Sequence, residues 1–195
     1  MRFADVSPDG CFDRIPEGPF LDVVIPALNE QSAVLRAIES ARDPAVAALI
    51  VVDGGSRDAT CEEARGAGAE VRLSSPGRAR QMNAGAFGTH GDVLLFLHAD
   101  TVLPEGFAAR IREAMRDSGV AWGRFDVRLS GGDSRLRLVE ALMNWRSRWS
   151  GIATGDQAIF VRRKSFEALH GFREMPLMED IDFSKRLRKQ GRMVA

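Results

Sequence analysis

Residues 21–30 read LDVVIPALNE, and they carry the strongest indication of the fold. The stretch begins with a short, mostly apolar run that stops at Pro26, and the polar residues Asn29 and Glu30 follow closely. Such a run, bounded by a turn residue, is typical of a strand buried on both faces of a parallel sheet. We therefore predict a parallel strand that ends at Pro26 and a helix that Asn29 caps and that extends to about Arg42.

Apolar runs alternate with amphipathic stretches along the rest of the chain. The further strands predicted from this pattern cover residues 48–53, 69–73, 92–98, 120–129 and 157–161. The further helices begin after a cap at Ser56 or Asp58 and at residues 77, 104, 134, 164 and 181. This alternation indicates an α/β fold with a mostly parallel central sheet and helices on both faces. We expect an irregular lead-in over residues 1–20 and a single domain over residues 21–195.

Composition excludes several classes of protein. The 195 residues include 27 Lys and Arg against 27 Asp and Glu, so the formal net charge is zero. A balanced charge argues against a nucleic-acid-binding protein, which normally needs a strongly basic face. No apolar run approaches the ~20 residues of a transmembrane helix, and the first 18 residues lack the apolar stretch of a signal peptide. Two cysteines without zinc-ligand spacing agree with a cytoplasmic location.

Polar residues follow three of the predicted strands directly. Asn29 and Glu30 follow the first strand, Asp53 and Gly54 the second, and residues 98–100 (HAD) the fourth. Ligands of an open α/β sheet bind outside the carboxyl ends of its strands, so this arrangement predicts one site. Each residue could instead be a helix cap or begin a turn. Their joint position at three strand ends favours a site.

Two common nucleotide-binding motifs do not occur in this sequence. No segment fits G-x-x-x-x-G-K-[ST], the motif of a phosphate-binding loop. The first predicted strand is followed by Ala27–Glu30, which lacks the glycines of the dinucleotide-binding fingerprint. The sequence therefore disfavours a P-loop protein and a dehydrogenase.

Six segments carry a family resemblance. They are VVIPALNE (23–30), VVDGGSRDAT (51–60), GRARQMNAGA (77–86), LLFLHADT (94–101), GDQAIFVRR (155–163) and MEDIDFSKRLRKQG (178–191). In this order they resemble the family 2 glycosyltransferases, which are inverting enzymes with the GT-A fold. The third and fourth segments further resemble a small bacterial subgroup associated with arsenosugar biosynthesis. The resemblance implies a hexosyltransferase-type enzyme (EC 2.4). Family members normally continue further, so the domain is either a naturally short variant or truncated at the C-terminus.

The resemblance also implies roles for individual residues. Asp100 would hold a divalent cation, Mg²⁺ or Mn²⁺, with His98 as a possible second ligand. Asp180, with Glu179 beside it, occupies the place of the general base that would activate an acceptor hydroxyl. The residues that would contact the nucleotide-diphosphate sugar are Pro26, Ala27, Asn29, Glu30, Asp53, Gly54, Arg78, Arg80, Asn83, Ala99, Asp100 and Asp156. We expect Asp53, Asp100 and Asp180 to converge on one pocket.

Other interpretations of these residues stay open at this point. His98 replaces the first of two acids in the family's usual metal motif, so it is either a ligand or a core histidine. Arg78 and Arg80 could lie on a solvated helix face, and Asp156 could shape a turn. The alternative functions are a nucleotidyltransferase and a catalytically impaired module that binds nucleotide sugars.

The predicted helix over residues 134–149 has an apolar stripe of Leu138, Leu142, Trp145 and Trp149, with arginines elsewhere. Such a stripe usually belongs to the core. A basic helix with tryptophans also suits a membrane surface or a lipid-linked acceptor. The acceptor is thus either lipid-linked or a small molecule, and a place at the inner membrane face stays open.

Overall fold

The computed structural model describes residues 18–129, 131 and 133–195, so residues 1–17 of the predicted lead-in lie outside the described part. The strands are β1 (Leu21–Ala27), β2 (Val46–Asp53), β3 (Glu70–Leu73), β4 (Val93–Phe96), β5 (Val120–Gly123), β6 (Ile159–Arg162) and β7 (Arg192–Val194). The helices are α1 (Val34–Ser40), α2 (Thr60–Gly66), α3 (Arg78–Ala86), α4 (Phe107–Ala114), α5 (Ser134–Ser150), α6 (Arg163–Ala168) and α7 (Glu179–Leu187). A 3₁₀ turn over Gly155–Gln157 precedes β6.

One sheet contains all these strands, in the order β3-β2-β1-β4-β6-β5-β7. β1 pairs in parallel with both β2 and β4, and β2 pairs in parallel with β3. All seven residues of β1 are buried, as the apolar run predicts for a central strand. β6 runs antiparallel to β4 and β5, and β7 pairs in parallel with β5. The predicted α/β class with a mostly parallel sheet is confirmed.

The helices cover both faces of the sheet, as predicted. Alternate residues of β1 point to opposite sides, with Val23 and Ile25 in one apolar cluster and Val24 in the other. The first cluster packs under α1, α2 and α4, and the second packs under α3, α6 and α7. α3 lies so close to the sheet that a Cβ on Gly85 would come within 2.3 Å of Val24 Cγ1.

One strand of the sheet is shorter than predicted, and another was not predicted. The strand predicted over residues 120–129 ends at Gly123. The Arg124 N–H still donates to Val194 O of β7, but further along the chain the backbone bonds to side chains of α5 instead of to a neighbouring strand. Asn144 Oδ1 accepts from the Val127 N–H at 2.9 Å, and Glu140 accepts from the Leu129 N–H. β7, at the edge of the sheet, is not predicted, since three residues are too few to show an alternating pattern.

Two of the predicted helix caps, Asn29 and Ser56, are wrong. α1 begins at Val34, five residues after Asn29, which adopts a left-handed backbone with a φ of 58°. Ser56 does not cap α2, because its hydroxyl bonds to Asp53. Asp58 does accept from the N–H of Thr60, the first residue of α2, at 3.1 Å. These polar side chains therefore fasten the loops before the helices.

α5 differs most from its predicted packing. Its apolar stripe, expected in the core, faces solvent, while the polar residues Glu140 and Ser147 are buried. The reason is that the loop after β5 offers α5 backbone N–H and C=O groups, which polar side chains satisfy. Within the described residues, no helix combines the length and apolar character needed to cross a bilayer.

Candidate active site

The carboxyl ends of β1 and β4 open onto a pocket of about 410 Å³, which we call the strand-end pocket. Four segments form its wall: the loops after β1 and β4 and the first residues of α3 and α7. The wall residues that the sequence predicted are Pro26, Ala27, Glu30, Arg78, His98, Ala99, Asp100 and Glu179. Segments far apart in the chain thus meet where the strand-end argument expects a site.

Several hydrogen bonds fasten the loop after β1 to the loop after β2 and to the start of α2. The Asn29 N–H donates to Ser56 Oγ at 2.8 Å, and Asn29 Oδ1 accepts from the Arg57 N–H at 2.9 Å. The Glu30 N–H donates to Thr60 Oγ1 at 2.8 Å. Asn29 is not among the residues of the pocket wall, contrary to its predicted contact. Its side chain instead holds the loop that carries Glu30.

Asp53 is buried and its carboxylate faces its own turn. It accepts from the N–H groups of Gly55 at 2.8 Å and Ser56 at 2.9 Å, and from the Ser56 hydroxyl. Burial alone would raise the pKa of this carboxyl, but the hydrogen bonds from Ser56 and Gly55 outweigh burial and lower it. Neither Asp53 nor Gly54 belongs to the wall of the strand-end pocket, so the expected convergence of Asp53 on the pocket is not observed. The Gly54 N–H donates to Ala27 O, which ties the turn to β1.

Gln81 lies on the pocket wall, and the sequence analysis did not select it. Its Nε2 donates to Ala27 O at 2.7 Å and to Val52 O at 2.8 Å, so it joins α3 to the ends of two strands. A Cβ on Gly54 would lie 3.2 Å from this side chain, which leaves little room for a larger residue there. A polar residue on the sheet-facing side of α3, beside Met82, was the signal that could have identified it.

Two other predicted contacts of α3 lie away from the strand-end pocket. Arg80 Nε donates to Glu174 Oε2 at 2.8 Å and lines a neighbouring cavity of about 520 Å³. Asn83 exchanges two hydrogen bonds with the backbone of Phe172, at 2.8 Å and 2.9 Å. Both residues attach α3 to the segment that precedes α7. Of the three predicted polar contacts on α3, only Arg78 reaches the pocket.

The pocket holds opposite charges close together. Burial raises the pKa of Glu30, and the nearby Asp100 carboxylate raises it further. The guanidinium of Arg78 opposes this rise. Asp100 is exposed at the pocket, so its carboxylate is accessible. A cation between these carboxylates would relieve their repulsion, and Arg78 would meet an anionic group of a ligand.

His98 stands at the centre of the site's charges. Burial lowers its pKa, and the Arg78 guanidinium lowers it further. Three carboxylates act in the opposite direction, those of Asp100, Asp180 and Asp156 in decreasing order. A Cβ on Gly155 would lie 2.2 Å from Cε1 and Nε2 of the imidazole, so the ring rests directly against that glycine. The structure thus gathers these charged residues around one histidine.

The two acids at the start of α7 face different spaces. Glu179 is buried and lies on the wall of the strand-end pocket. Asp180 lines a small cavity of about 10 Å³ with His98, which also lines the pocket. Asp180 Oδ2 accepts from the Gly155 N–H at 2.5 Å, and Oδ1 accepts from the Ile181 N–H at 2.7 Å. Because His98 lines both cavities, Asp180 adjoins the strand-end pocket at this histidine.

A second cavity, of about 750 Å³, adjoins the first, and we call it the lateral cavity. Asp100 lines both cavities. Asp156, predicted to contact the donor, lines the lateral cavity and not the strand-end pocket. Three arginines from three segments also line it: Arg36 of α1, Arg128 of the loop after β5, and Arg137 of α5. Asp100 thus stands where a ligand in one cavity would meet a ligand in the other.

The donor set suits a hard cation that brings ligands of its own. Among the described residues, no group of three His, Cys, Asp or Glu side chains is arranged to hold a metal ion. Asp100 offers carboxylate oxygens, which Mg²⁺ and Mn²⁺ prefer, and His98 offers an imidazole nitrogen, which Mn²⁺ accepts more readily. Such a cation would take its remaining ligands from water and from an anionic ligand in the pocket.

Comparison with known families and structures gives one family and one fold. The sequence pattern that defines glycosyl transferase family 2 matches residues 22–171 of this chain. Among curated proteins, none matches the chain at a significant level of sequence similarity.

Several solved structures resemble the fold. A mannosyltransferase of Pyrobaculum calidifontis, solved with GDP-Man and Mn²⁺, is 18% identical with a TM-score of 0.69, over 99% of this chain and 57% of its own. S. aureus TarS (residues 1–349) is 15% identical with a TM-score of 0.65, over 86% of this chain and 55% of its own. Glucosyl-3-phosphoglycerate synthase of Mycobacterium tuberculosis, solved with Mn²⁺, UDP and glucosyl-3-phosphoglycerate, is 22% identical with a TM-score of 0.54, over 76% of this chain and 58% of its own. The chain therefore spans little more than half the length of these relatives.

Proposed function

The chain belongs to glycosyl transferase family 2 and has the GT-A fold, and from this premise we propose that it transfers a sugar from a nucleotide-diphosphate donor to an acceptor hydroxyl. The narrower parts of the proposal are a hexosyl group as the sugar and inversion at its anomeric carbon. The observation that carries it is the strand-end pocket, whose wall combines Arg78 with Asp100. A guanidinium binds phosphate oxygens in a forked geometry, and a carboxylate holds a divalent cation.

We propose that the donor lies in the strand-end pocket. Pro26 and Ala27 would contact the nucleotide through their backbone, and Arg78 would bind the diphosphate. Asp100 would hold Mg²⁺ or Mn²⁺, a role supported by the Mn²⁺ in the structures of the mannosyltransferase and the synthase. When bound, the cation offsets the negative charge that develops on the departing diphosphate.

We propose Asp180 as the general base, with Glu179 beside it in the pocket wall. Asp180 would accept the proton of the acceptor hydroxyl while that oxygen bonds to the anomeric carbon. The bond from that carbon to the phosphate oxygen breaks in the same step, and the diphosphate leaves with the electron pair. The bond from the Gly155 N–H at 2.5 Å supports this role, because it orients the carboxylate.

The acceptor would enter through the lateral cavity, which adjoins the donor at Asp100. Three arginines line this cavity together with Asp100, Asp126 and Asp156. The arginines would bind a negatively charged group of the acceptor, either on a small molecule or on a lipid. We also propose a cytoplasmic location at the inner membrane face. The subgroup associated with arsenosugar biosynthesis is part of the proposal, and it is supported by two segments, 77–86 and 94–101, that supply Arg78, Gln81 and Asp100 to the pocket.

A product assay separates this proposal from its two alternatives. The protein is incubated with a panel of nucleotide-diphosphate sugars and Mn²⁺, and the released species are identified. We expect a nucleoside diphosphate, with a first-formed sugar product of inverted anomeric configuration in proton NMR. Pyrophosphate would indicate a nucleotidyltransferase. Donor that binds but stays intact would indicate an impaired binding module, which the single carboxylate at the metal position favours.

A further inference from the structure

α5 carries an apolar stripe that faces solvent. Leu138 is 64% exposed, Leu142 56%, Trp145 65% and Trp149 82%. Their spacing of four, three and four residues places them along one line of the helix. Exposed apolar residues scattered singly are ordinary, but a continuous line of four large ones marks an interaction surface.

The opposite face of α5 is polar and attaches the helix to the domain. Asn144 bonds with Val127 through both its amide groups, at 2.9 Å and 3.0 Å, and Glu140 accepts from the Leu129 N–H. Ser147 is fully buried. At 3.6 residues per turn these three residues lie about 130–170° round the helix from the centre of the stripe. α5 therefore shows the reverse of the usual amphipathic arrangement, in which the apolar side faces the core.

The two exposed tryptophans stack on each other. The rings of Trp145 and Trp149 are parallel within 2°, with centroids 6.2 Å apart. Indole groups favour the boundary between lipid headgroups and acyl chains, because the ring is apolar and its N–H is polar. The stack lies at the C-terminal end of the stripe.

Arginines flank the stripe on both sides. By helical geometry Arg135 and Arg146 lie on one flank, and Arg137 and Arg148 lie on the other. The single acid of the helix, Glu140, is on the inward face and pairs with Arg137 at 3.0 Å. Arg137 also donates to Leu129 O at 2.6 Å, and Arg148 pairs with Asp126 of the loop after β5. The outward face of α5 is thus apolar along its centre and most strongly cationic along the flank of Arg135 and Arg146. This charge pattern complements a surface of anionic lipids.

We propose that α5 docks the protein on an anionic lipid bilayer, with its apolar stripe among the acyl chains near the headgroups and its arginines at the phosphates. This inference refines the membrane location given under the proposed function, and its biological meaning rests on that function. A second copy of the chain is a poorer occupant, since a two-fold contact along the stripe would bring arginine edges together. Arg137 also lines the lateral cavity, so a docked α5 would bring that cavity to the lipid surface.

Vesicle binding tests this inference without any substrate, so glycosyl transfer can fail while the membrane contact stands. The 195-residue chain is mixed with vesicles of phosphatidylcholine alone or with phosphatidylglycerol, and binding is measured by sedimentation and tryptophan emission. Trp122 is fully buried, so a blue shift on binding reports Trp145 and Trp149. The test variant is Trp145→Ser with Trp149→Ser. The matched control is Phe87→Ser, which removes an exposed aromatic side chain from the segment after α3.

The expected results are binding to the anionic vesicles with a blue shift, and binding weaker by roughly tenfold or more in the double variant. Arg135→Gln with Arg146→Gln should also weaken binding, and added salt should weaken the wild type. The Phe87 variant should bind as the wild type does, and all variants should keep their melting temperature, because the changed residues are exposed. Absence of binding, equal binding by the double variant, or a dimer in solution that the double variant dissociates would each overturn the proposal.

Discussion

The two halves of the sheet are built by different means. On one side, β1, β2, β3 and β4 run parallel, and the loops at their carboxyl ends bond to one another through Asn29, Ser56 and Gln81. On the other side, β6 runs antiparallel to both of its neighbours, and the edge strand β7 has only three residues. There a long loop and α5 are attached mainly by polar contacts.

This difference indicates that the two halves of the sheet serve the donor and the acceptor separately. The parallel half forms most of the strand-end pocket, which suits a group that all donors share, the nucleotide diphosphate. The other half supplies Asp180, Asp156 and most of the lateral cavity, which face the acceptor in our proposal. Loops and helix faces change more readily than buried strands, so the acceptor side is free to vary while the donor side is kept.

Of the variants considered, Asp180→Asn should separate the two halves most clearly. Asparagine keeps an oxygen for the Gly155 N–H but cannot accept the proton of the acceptor, so transfer should fall by about 10²–10⁴-fold. Donor binding, a property of the parallel half, should stay unchanged. The measurement is the rate of nucleoside diphosphate release beside the Kd of the donor.

The matched control for that variant is Asp182→Asn, two residues further along α7. Asp182 pairs with Arg186 at 2.7 Å and Arg173 at 3.5 Å, so its role is structural. Its variant should lose stability and keep most of its rate per folded molecule. Near-normal turnover in the Asp180 variant would remove that residue from its proposed role.

The contact that joins the two halves should be the next most sensitive. Arg163, at the start of α6, pairs with the buried Asp22 of β1 at 2.7 Å, and Asp22 is 1% exposed. Arg163→Met leaves that carboxylate without its cation, which should lower the free energy of unfolding by about 3–5 kcal/mol. Urea unfolding measures the loss.

Arg116→Met serves as the control for this ion pair. Arg116 pairs with Glu113, but both side chains are about 70% exposed, so the loss should stay below ~1 kcal/mol. Equal losses in the two variants would mean that the contact between the halves has no special part in stability.

The close packing of α3 on the parallel half predicts smaller changes in stability for two Gly→Ala variants, and these changes should have opposite signs. A Cβ on Gly85 would lie 2.3 Å from Val24 Cγ1 and 2.9 Å from Val52 Cγ2, so Gly85→Ala should destabilise the fold by about 1–3 kcal/mol. Gly66→Ala, in α2 with open space around it, should stabilise by about 0.4–1 kcal/mol. Thermal unfolding distinguishes them, and stabilisation by both would contradict the packing.

The sequence predicts the parallel half well, because buried strands there give apolar runs that end in polar residues. It predicts poorly which of those polar residues face the pocket. Asn29 and Asp53 stand at strand ends as Glu30 and Asp100 do, yet Asn29 bonds to the loop after β2 and Asp53 bonds to its own turn. All four are polar residues that closely follow apolar runs, so the sequence pattern does not show which side chains face the pocket.

The other half departs further from the sequence prediction for a related reason. The stripe of α5 has the spacing of a core helix, and the sequence does not show that the neighbouring loop needs polar partners. β7 is too short to show a pattern, and the sequence does not show that Gln81 bonds to backbone at the ends of two strands. In each case the deciding contact comes from a segment distant in the chain.

The most direct test of the central claim is the binding of nucleoside diphosphates to the strand-end pocket, measured by calorimetry with Mn²⁺ and with chelator. The wild type is compared with Asp100→Asn and with Glu105→Gln, a charge-matched control at an exposed position before α4. We expect Mn²⁺-dependent binding in the wild type and the control, and a loss of about tenfold or more in the Asp100 variant that disappears when metal is chelated. Binding that ignores both Mn²⁺ and the Asp100 substitution, or no binding of any nucleoside diphosphate, would contradict the account.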